Sequence, residues 1–312
     1  MNIKNIVVAG GGVLGSQIAF QSAYKGFNVK VWLRMESSIG RAKPKFERVE
    51  KIYQETLQAM KTNPAAYCRG LADSPELTEA QIDELIANAK HAMDRIEFTL
   101  SHEEAAKDAD LVIEAIAENP AEKVEFYQTM AKYLPESAII ATNSSTMLPS
   151  AFAESTGRPD KYLALHFANR IWRNNTAEVM GHPGTDAAAY NAVVQFAADL
   201  GMVPLQLHKE QPGYILNSML VPFLNAAEAL YATGVADPET IDKTWMLGTG
   251  APLGPFRILD IVGLTTAYNI VVLDPRTKDP DSVPAKIAAA LKERIDAGKT
   301  GVDAGEGFYR YR

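Results

Sequence analysis

The sequence predicts an α/β fold, in which a doubly wound, mainly parallel sheet is followed by an all-α C-terminal region. Three observations predict it. A short apolar segment near the start leads into glycines spaced G-x-G-x-x-G. Strand-like and helix-like segments then alternate up to about residue 207, which is typical of parallel strands joined by helical crossovers. Beyond residue 212 only helix-like segments remain, so residues 1–209 and 210–312 are predicted to form two domains.

The composition of the chain is that of an ordinary globular protein. Its 312 residues are 47% hydrophobic and 22% charged, which allows one large or two medium domains, each with its own core. The formal net charge of −7 argues against nucleic acid and against anionic membrane surfaces as partners. Cys68 is the only cysteine, so we expect no disulfide within the chain and a cytoplasmic location. We find no apolar run of about 18 residues and expect no membrane span.

The glycine-rich turn predicts a dinucleotide-binding site. The run Ile6–Ala9 is too short for a helix and rich in β-branched residues, so we predict a buried strand, with a second strand at Val29–Leu33 beyond an intervening helix. Gly10 permits a tight turn, Gly12 lets the backbone approach a pyrophosphate, and Gly15 lets the helix lie close to the strand. Glycine triplets also make plain turns, but the strand–turn–helix–strand context favours a Rossmann-type nucleotide site at the helix N-terminus.

The residues after the second strand favour NADP(H). In NAD-binding folds, an acidic residue about twenty positions beyond the glycines accepts the ribose 2′-hydroxyl, but this chain has Leu33 and Arg34 there. Without that carboxylate nothing repels a 2′-phosphate, and the guanidinium with the hydroxyls of Ser37 and Ser38 could bind one. NAD(H) is the alternative, in which Arg34 is a solvated charge and Glu36 binds the ribose.

Residues 35–95 are predicted to form a helical insertion, which includes an amphipathic helix at Glu76–Asn88. The first part of the insertion carries clustered positive charge. These cations could bind the phosphorylated tail of a substrate, and a solvated helix face explains them equally well. They are Arg41, Lys43, Lys45, Arg48 and Lys51.

Alternation of strands and helices returns after the insertion. Ligand contacts should collect in the loops that follow the strand carboxyl ends, and residues 114–119, 142–146 and 166–169 form three such polar loops. Lys123, one helical turn beyond the first loop, is placed to reach a cofactor or substrate anion. The predicted elements are strands Ile96–Thr99, Leu111–Ile113, Ala138–Ala141 and Val203–Leu207, and helices Ala121–Tyr133 and Ala187–Leu200.

A histidine and a glutamate on two predicted strands form the candidate catalytic pair. The strand Tyr162–His166 ends on the histidine, and Glu178 follows twelve residues later in the strand Thr176–Met180. A hairpin-like connection would place the strands side by side, so that Glu178 holds one imidazole nitrogen and the other faces the substrate. A general acid needs such a fixed tautomer. Ser145 ends a neighbouring strand and could hydrogen-bond the same reacting oxygen.

The C-terminal region is predicted to be helical. Asn217 lies on an otherwise apolar helix face and should therefore have a partner, from the protein or from a ligand. A helical domain with this much apolar surface often buries part of it in a dimer, so we expect a homodimer. The predicted helices are Tyr214–Tyr231, Pro238–Met246, Ile258–Leu273 and Pro284–Ala297.

Eight segments, in order, resemble the 3-hydroxyacyl-CoA dehydrogenase family over essentially the whole chain. Eight ordered matches are far more specific than one glycine motif. The resemblance implies a dinucleotide-binding domain followed by a helical dimerisation domain. The segments are GGGVLGSQIA, IEAIAENPAEK, ATNSST, LALHFAN, TAEVMG, PGYILNSMLVP, LGPFRILDIVGL and GEGFYRYR.

The resemblance also assigns roles to individual residues. It makes His166 and Glu178 the catalytic pair, and it makes Ser145 and Asn217 polar groups that contact the substrate. No metal ligand is predicted. The predicted cofactor contacts, from the turn and the resemblance together, are Gly10, Gly12, Val13, Leu14, Gly15, Leu33, Arg34, Ser37, Ala115, Glu118, Lys123 and Asn143.

The chain departs from the family at three places. Leu33 stands where the family has an aspartate, which weakens the expectation of NAD. Residues 169–175 replace the family's asparagine-proline turn and resemble the diketoreductase branch, which acts on carbonyl substrates without coenzyme A. The family's coenzyme-A-contacting serine and lysine fall on Val49 and Thr56.

We therefore predict an oxidoreductase that interconverts 3-hydroxyacyl and 3-oxoacyl compounds by hydride transfer with a nicotinamide cofactor, similar to a diketoreductase. The nearer alternative is a coenzyme-A-dependent 3-hydroxyacyl-CoA or 3-hydroxybutyryl-CoA dehydrogenase of fatty-acid metabolism. The more distant one is a non-catalytic, crystallin-like NAD(P)-binding protein, against which the intact set Ser145, His166, Glu178 and Asn217 argues.

Overall fold

The computed structural model of the protein describes residues 3–311, so residues 1, 2 and 312 at the ends of the predicted domains lie outside it. The strands are β1 (Asn5–Ala9), β2 (Asn28–Trp32), β3 (Ile96–Thr99), β4 (Leu111–Glu114), β5 (Ile139–Thr142), β6 (Tyr162–Phe167), β7 (Thr176–Met180) and β8 (Val203–Leu207). The helices are α1 (Val13–Tyr24), α2 (Glu36–Met60), α3 (Glu79–His91), α4 (His102–Ala106), α5 (Pro120–Met130), α6 (Ala187–Asp199), α7 (Tyr214–Ala232), α8 (Pro238–Thr249), α9 (Pro255–Val262), α10 (Leu264–Val271) and α11 (Val283–Asp296).

The eight strands form one sheet in the order β3-β2-β1-β4-β5-β6-β7-β8. Every neighbouring pair is parallel except β6 and β7, which are antiparallel. The carboxyl ends of β1, β4, β5 and β6 therefore lie at one edge of the sheet, where ligands bind in doubly wound folds. The predicted fold class, with its mainly parallel sheet and helical C-terminal region, is confirmed.

The central strands are apolar along their whole length because both faces of the sheet are covered. Successive side chains of a strand point to opposite faces, and Val7 and Val8 accordingly belong to two different buried clusters. The insertion covers one of these faces through a stripe of α2 whose spacing is that of a helix face. The stripe is Ala42, Phe46, Val49, Tyr53 and Leu57.

The helices deviate from the predicted bounds where a turn signal was missed. Helix α3 begins at Glu79 rather than Glu76, because Thr78 and Gln81 form a capping box at its start. The single predicted helix at residues 258–273 is wrong. It is two helices, α9 and α10, which are separated by Gly263 with φ +93°, a backbone conformation that glycine adopts without steric cost. The helix α4 was not predicted.

The chain divides into two compact units between Ile215 and Leu216, six residues beyond the predicted boundary. The second unit has its own buried cluster, in which Phe256 and Leu259 are central. Two buried carboxylates order its loops. Asp242 accepts hydrogen bonds from the N–H of Phe256 and from the Tyr309 hydroxyl. Asp260 likewise accepts hydrogen bonds from the chain near the C-terminus.

Helix α7 is long and apolar enough, by length and composition alone, to cross a membrane: it has 19 residues and a mean hydropathy of 1.2. The expectation that no segment meets this criterion is wrong. Isolated polar residues such as Asn217 and Glu228 interrupt the apolar run, but they do not lower its mean hydropathy below the value that the criterion requires. Helices of helical bundles pass the same test. The absence of a membrane partner therefore stays a prediction.

Because Glu228 in α7 is buried, we expect the free energy of unfolding to fall as pH rises. Its side chain is buried, Oε1 has no hydrogen-bond partner among residues 3–311, and burial raises the pKa of the carboxyl to about 7. A folded-state pKa above the unfolded value means that the cost of ionisation is absent below about pH 4 and complete above about pH 7. Glu228→Gln should therefore raise the free energy of unfolding at pH 8.5 by roughly 3 kcal/mol and change it little at pH 5, as measured by urea denaturation. The exposed Glu293→Gln is the control, and equal pH slopes for Glu228→Gln and wild type would contradict the assignment.

Candidate active site

The glycine turn between β1 and α1 has the shape of a pyrophosphate cradle. Gly10 has φ +117°, and a Cβ there would lie 2.5 Å from the Ala115 carbonyl oxygen. A Cβ on Gly15 would lie 2.2 Å from the Gly10 carbonyl oxygen, so the helix can pack this closely only on a glycine. A Cβ on Gly12, in contrast, would meet no heavy atom within 4 Å. The N-terminus of α1 therefore opens on free space, which fits a pyrophosphate bound by the first backbone N–H groups.

A cavity of about 440 Å³ extends from this turn along the end of β2. One part of its lining is apolar and aromatic, with His102 packed on Trp32 at a ring-centroid distance of 4.5 Å. The other part is charged. The predicted cofactor contacts that line the cavity are Gly10, Gly12, Leu33, Arg34 and Ala115.

The other predicted contacts near the turn differ in exposure. Val13, in the first turn of α1, is 64% exposed, and Leu14 is half-buried. Ser37 is exposed, and its hydroxyl accepts a hydrogen bond from Arg41 at 3.1 Å. The structure thus places all of them on or beside α1 and α2.

The sequence expectation that no carboxylate stands near a 2′-phosphate is wrong. Glu122, on α5, forms an ion pair with Arg34 at 2.9 Å between Oε2 and Nη1, and both Glu122 and Glu125 line the cavity. Glu122 lies 88 residues from Arg34 in the chain, and no local pattern announces the pairing. Arg34 is therefore partly neutralised where the sequence alone suggested a free cation.

The structure brings His166, Glu178 and Ser145 together. His166 and Glu178 are opposite each other in the antiparallel ladder of β6 and β7. Nδ1 of His166 lies 3.0 Å from Oε2 of Glu178, and Nε2 lies 3.0 Å from the Ser145 hydroxyl. The histidine and glutamate side chains are both buried. The carboxylate fixes Nδ1 as a donor, which leaves Nε2 for proton exchange at the sheet edge that also carries the glycine turn.

Two residues at the start of α7 hold this pair, and sequence reasoning missed both. The backbone N–H of Ile215 donates to Oε1 of Glu178 at 2.8 Å. The Tyr214 ring stacks on the His166 imidazole at 4.4 Å between centroids, and its hydroxyl donates to the Ser144 carbonyl at 2.7 Å. Burial raises the pKa of the Tyr214 phenol far above its ordinary value, so it stays a neutral donor. The positive φ of Tyr214, 55°, leaves no sequence signal because the residue is not a glycine.

Glu118 organises the loop that presents Ser145. Its Oε2 accepts a hydrogen bond from the Ser144 hydroxyl at 2.8 Å, and its Oε1 accepts one from the Ser145 N–H at 3.2 Å. Nζ of Lys123 lies 3.7 Å from the same Oε2. Lys123 was expected to reach a cofactor or substrate anion. In the structure it is buried, and the anions that it reaches are Glu118 and Glu114.

Glu114, at the end of β4, is a buried carboxylate that no role was assigned to. Its oxygens accept hydrogen bonds from Lys123 Nζ at 2.7 Å, from the Tyr127 hydroxyl at 2.7 Å, from the Thr142 hydroxyl at 2.8 Å and from the Ile116 N–H at 2.9 Å. It therefore joins β4, β5 and α5 beneath the loops. The sequence signal that could have revealed this ion pair is an acidic residue at the end of an apolar strand, with a lysine nine positions later.

The remaining predicted residues lie around this framework. Asn143 is buried, and its Oδ1 accepts a hydrogen bond from the Phe167 N–H at 3.1 Å, so it joins the ends of β5 and β6. Asn217 is half-buried in the first turns of α7 and belongs to the second unit. Its role stays a prediction. Helix α1 holds the first part of the loop after β6, because the Arg170 N–H donates to Gln17 Oε1 at 2.8 Å.

Comparison with known proteins agrees with this architecture. A family model described as the NAD binding domain of 3-hydroxyacyl-CoA dehydrogenase matches residues 5–211, and the model of its C-terminal domain matches residues 213–311. The mitochondrial hydroxyacyl-coenzyme A dehydrogenase of Rattus norvegicus is 33% identical over 99% of this chain and 92% of its own length. A probable 3-hydroxybutyryl-CoA dehydrogenase of Bacillus subtilis is 31% identical over 100% and 98%. A solved diketoreductase structure, described as showing substrate-directed dual catalysis of dicarbonyl compounds, is 47% identical, with a TM-score of 0.86 over 100% of both chains.

Together, the two family models match both units of the chain. A nicotinamide cofactor and dehydrogenase activity on hydroxyl groups, both predicted from the sequence, are confirmed at this level. The resemblance to a diketoreductase is confirmed as well. The chain belongs to the 3-hydroxyacyl-CoA dehydrogenase family.

Proposed function

We propose that this protein is an NADP(H)-dependent carbonyl reductase that interconverts 3-hydroxyacyl and 3-oxoacyl compounds without requiring coenzyme A on the substrate. One observation carries the chemistry: the His166 imidazole is held between the Glu178 carboxylate and the Ser145 hydroxyl, with both distances at 3.0 Å. A catalytic base or acid is recognised by such geometry, in which one ring nitrogen is oriented and the other is presented.

In the reductive direction, His166 gives its Nε2 proton to the carbonyl oxygen of the substrate. Glu178 accepts the Nδ1–H and offsets the positive charge of the imidazolium before the transfer. Ser145 holds the oxygen as it gains charge, which is the role of a preorganised donor. A nicotinamide cofactor held at the turn of Gly10, Gly12 and Gly15 would supply the hydride in this direction and accept it in the other.

Independence from coenzyme A is supported by two observations. The diketoreductase structure is more similar to this chain, at 47% identity, than are the two coenzyme-A-type relatives, at 33% and 31%. In addition, Val49, at a position where the family's coenzyme-A-contacting serine falls, is buried in the apolar cluster beneath α2. A buried valine offers neither a hydrogen bond nor access to a nucleotide tail.

The preference for NADP(H) is supported by the residues around the end of β2. Leu33 is buried and apolar, so it cannot accept a ribose hydroxyl. Arg34, Ser38, Arg41 and Lys45 line the same cavity, and guanidinium and ammonium groups are the usual partners of phosphate. The carboxylates of Glu122 and Glu125 line the same cavity. The preference for NADP(H) therefore depends on which of the cations have no carboxylate partner.

A second function is favoured by the similarity to the Bacillus subtilis relative, whose name is probable 3-hydroxybutyryl-CoA dehydrogenase and which matches over nearly its whole length. In this reading the substrate carries coenzyme A. The exposed cations of α2 that do not line the cavity, such as Arg48, would then be available to the nucleotide tail.

Initial rates separate these functions. A free 3-oxo ester and acetoacetyl-CoA are compared as substrates, each with NADH and with NADPH. We expect the ester with NADPH to give the highest kcat/KM, by at least about tenfold over each of the other combinations, which corresponds to ~1.4 kcal/mol. A tenfold advantage of acetoacetyl-CoA would establish the second function instead. Binding of the nicotinamide without turnover of any 3-oxo compound would favour the non-catalytic alternative.

Two further properties belong to the proposal. A homodimer through the C-terminal region is supported by large apolar side chains that the second unit exposes, among them Met219, Leu247 and Leu273 at 63%, 85% and 79%. A cytoplasmic location is supported by the single cysteine, Cys68, which is buried and unpaired.

A further inference from the structure

One face of α2 lies directly beside the glycine turn. A Cβ built on Gly11 would lie 2.7 Å from the Ala42 Cβ and 3.0 Å from Leu33 Cδ2. Ala42 on α2 and Leu33 after β2 therefore meet at the same point of the turn. Leu33 occupies the position from which other members of the fold bind the adenosine ribose, so the part of α2 around Ala42 stands next to that ribose position.

Three polar residues of α2 share this face. Ser38, Arg41 and Lys45 follow each other at intervals of three and four, the spacing of one helix face, and all three line the cavity with the glycine turn. The sequence indicated Arg34 as the phosphate ligand and left Arg41 and Lys45 among the cations of a possible substrate tail. The structure, and not the sequence, shows that Arg41 and Lys45 lie beside the glycine turn.

The charges of these cations differ in how far they are compensated. Arg34 is paired with Glu122 at 2.9 Å. Arg41 instead donates to two neutral hydroxyls, those of Ser37 at 3.1 Å and Ser38 at 2.8 Å, and no carboxylate of residues 3–311 lies within 4 Å of its guanidinium. Lys45 donates to the Gly11 carbonyl oxygen at 3.2 Å and likewise has no carboxylate partner in that range.

We propose that Arg41 is the residue that selects the 2′-phosphate of NADP(H), and that Lys45 supports it while Arg34 contributes less. The proposal rests on the proposed preference for NADP(H). Arg41 keeps three of its five N–H donors beyond those bound to the serines, and the two hydroxyls, oriented by its guanidinium, can donate their own hydrogens to the same phosphate. A full positive charge with preset donors binds a phosphomonoester better than a guanidinium that must first leave a carboxylate.

The same chemistry, a phosphomonoester on an adenosine ribose, also occurs as the 3′-phosphate of coenzyme A. The cavity favours the cofactor as the source, because its lining combines Arg41 with Gly10, Gly12 and Leu33. A substrate tail would have to bind at the nucleotide cradle itself to reach this group.

Isothermal titration of the full-length protein with adenosine 2′,5′-bisphosphate, adenosine 3′,5′-bisphosphate and 5′-AMP tests the proposal without turnover. Wild type should bind the 2′,5′-bisphosphate at least about tenfold more tightly than the other two. Arg41→Gln should weaken 2′,5′-bisphosphate binding by roughly 10–100-fold, the effect of a lost charged hydrogen-bond donor, and should leave 5′-AMP binding unchanged. Arg34→Gln should have a smaller effect, and Lys90→Gln, at an exposed cation of α3 outside the cavity, is the control.

The outcomes distinguish this inference from the function on which it rests. If wild type prefers the 2′,5′-bisphosphate and Arg41→Gln keeps that preference, Arg41 is not the selecting residue and the NADP(H) assignment survives. If wild type shows no preference for a 2′-phosphate, the NADP(H) assignment fails and takes this inference with it. Equal binding of both bisphosphates, lost together in Arg41→Gln, would assign the residue to coenzyme A.

Discussion

Replacing His166 with alanine is expected to reduce kcat by about 10²–10⁴-fold, the usual contribution of a positioned acid or base. The imidazole hydrogen-bonds both Glu178 and Ser145, so its removal separates the carboxylate from the position where a proton would be delivered. Binding of the nicotinamide should persist, because the glycine turn and its cavity do not include His166. Steady-state rates and a fluorescence titration of the nicotinamide give the two measurements.

His208→Ala is the control for this experiment, because His208 is an exposed histidine beyond the end of β8. It should keep wild-type kcat. If His166→Ala retains more than about a tenth of the wild-type kcat, proton transfer has another source and the proposed role of His166 is wrong.

Lys123→Met is expected to lower the free energy of unfolding by about 3–5 kcal/mol, the cost of removing one partner of a buried ion pair. Lys123 is 1% exposed, and Glu114, its partner at 2.7 Å, is fully buried. The methionine fills a similar volume but leaves Glu114 as an uncompensated charge in the core. Urea denaturation followed by circular dichroism at pH 7 measures the loss.

The double variant Glu114→Gln/Lys123→Met decides whether charge or packing causes the loss. It should recover part of the stability lost in Lys123→Met, because the glutamine removes the uncompensated charge and can still accept a hydrogen bond from Tyr127 or Thr142. Lys132→Met, at an exposed lysine just beyond α5, should be neutral within about 0.5 kcal/mol. A Lys123→Met protein as stable as this control would show that the ion pair is not needed for folding.

The proximity of His166 and Glu178 was predictable from the sequence because it depends only on two neighbouring strands. Twelve residues separate His166 from Glu178, and a short connection between two strand-like runs leaves few pairings other than an antiparallel one. The glycine turn was predictable for the same reason, since its three glycines act within six residues. Both features lie next to strands and helices that can be recognised in the sequence, strands by their apolar runs or two-residue alternation and helices by their 3.6-residue period.

The partners that hold these groups were not predictable, because they come from distant parts of the chain. Ile215 contacts Glu178 from 37 positions away, and Glu122 reaches Arg34 from 88 positions away. Such contacts are decided by how the helices dock on the sheet, and the local sequence around each residue carries no trace of that docking. For the same reason, the sequence alone does not distinguish Arg41 from the other cations of α2, whereas the structure places α2 beside Gly11.

The ladder between β6 and β7 fixes which side chains of the two strands share one face of the sheet. Slipping these strands by one residue would turn Glu178 to the opposite face of the sheet, so the acid and its orienting carboxylate stay matched as long as the hydrogen-bonded register is kept. Residues 168–175, which join the two strands, contribute no pair to that ladder. A substitution in this connection that keeps its length and the strand register therefore leaves the histidine and the carboxylate facing each other.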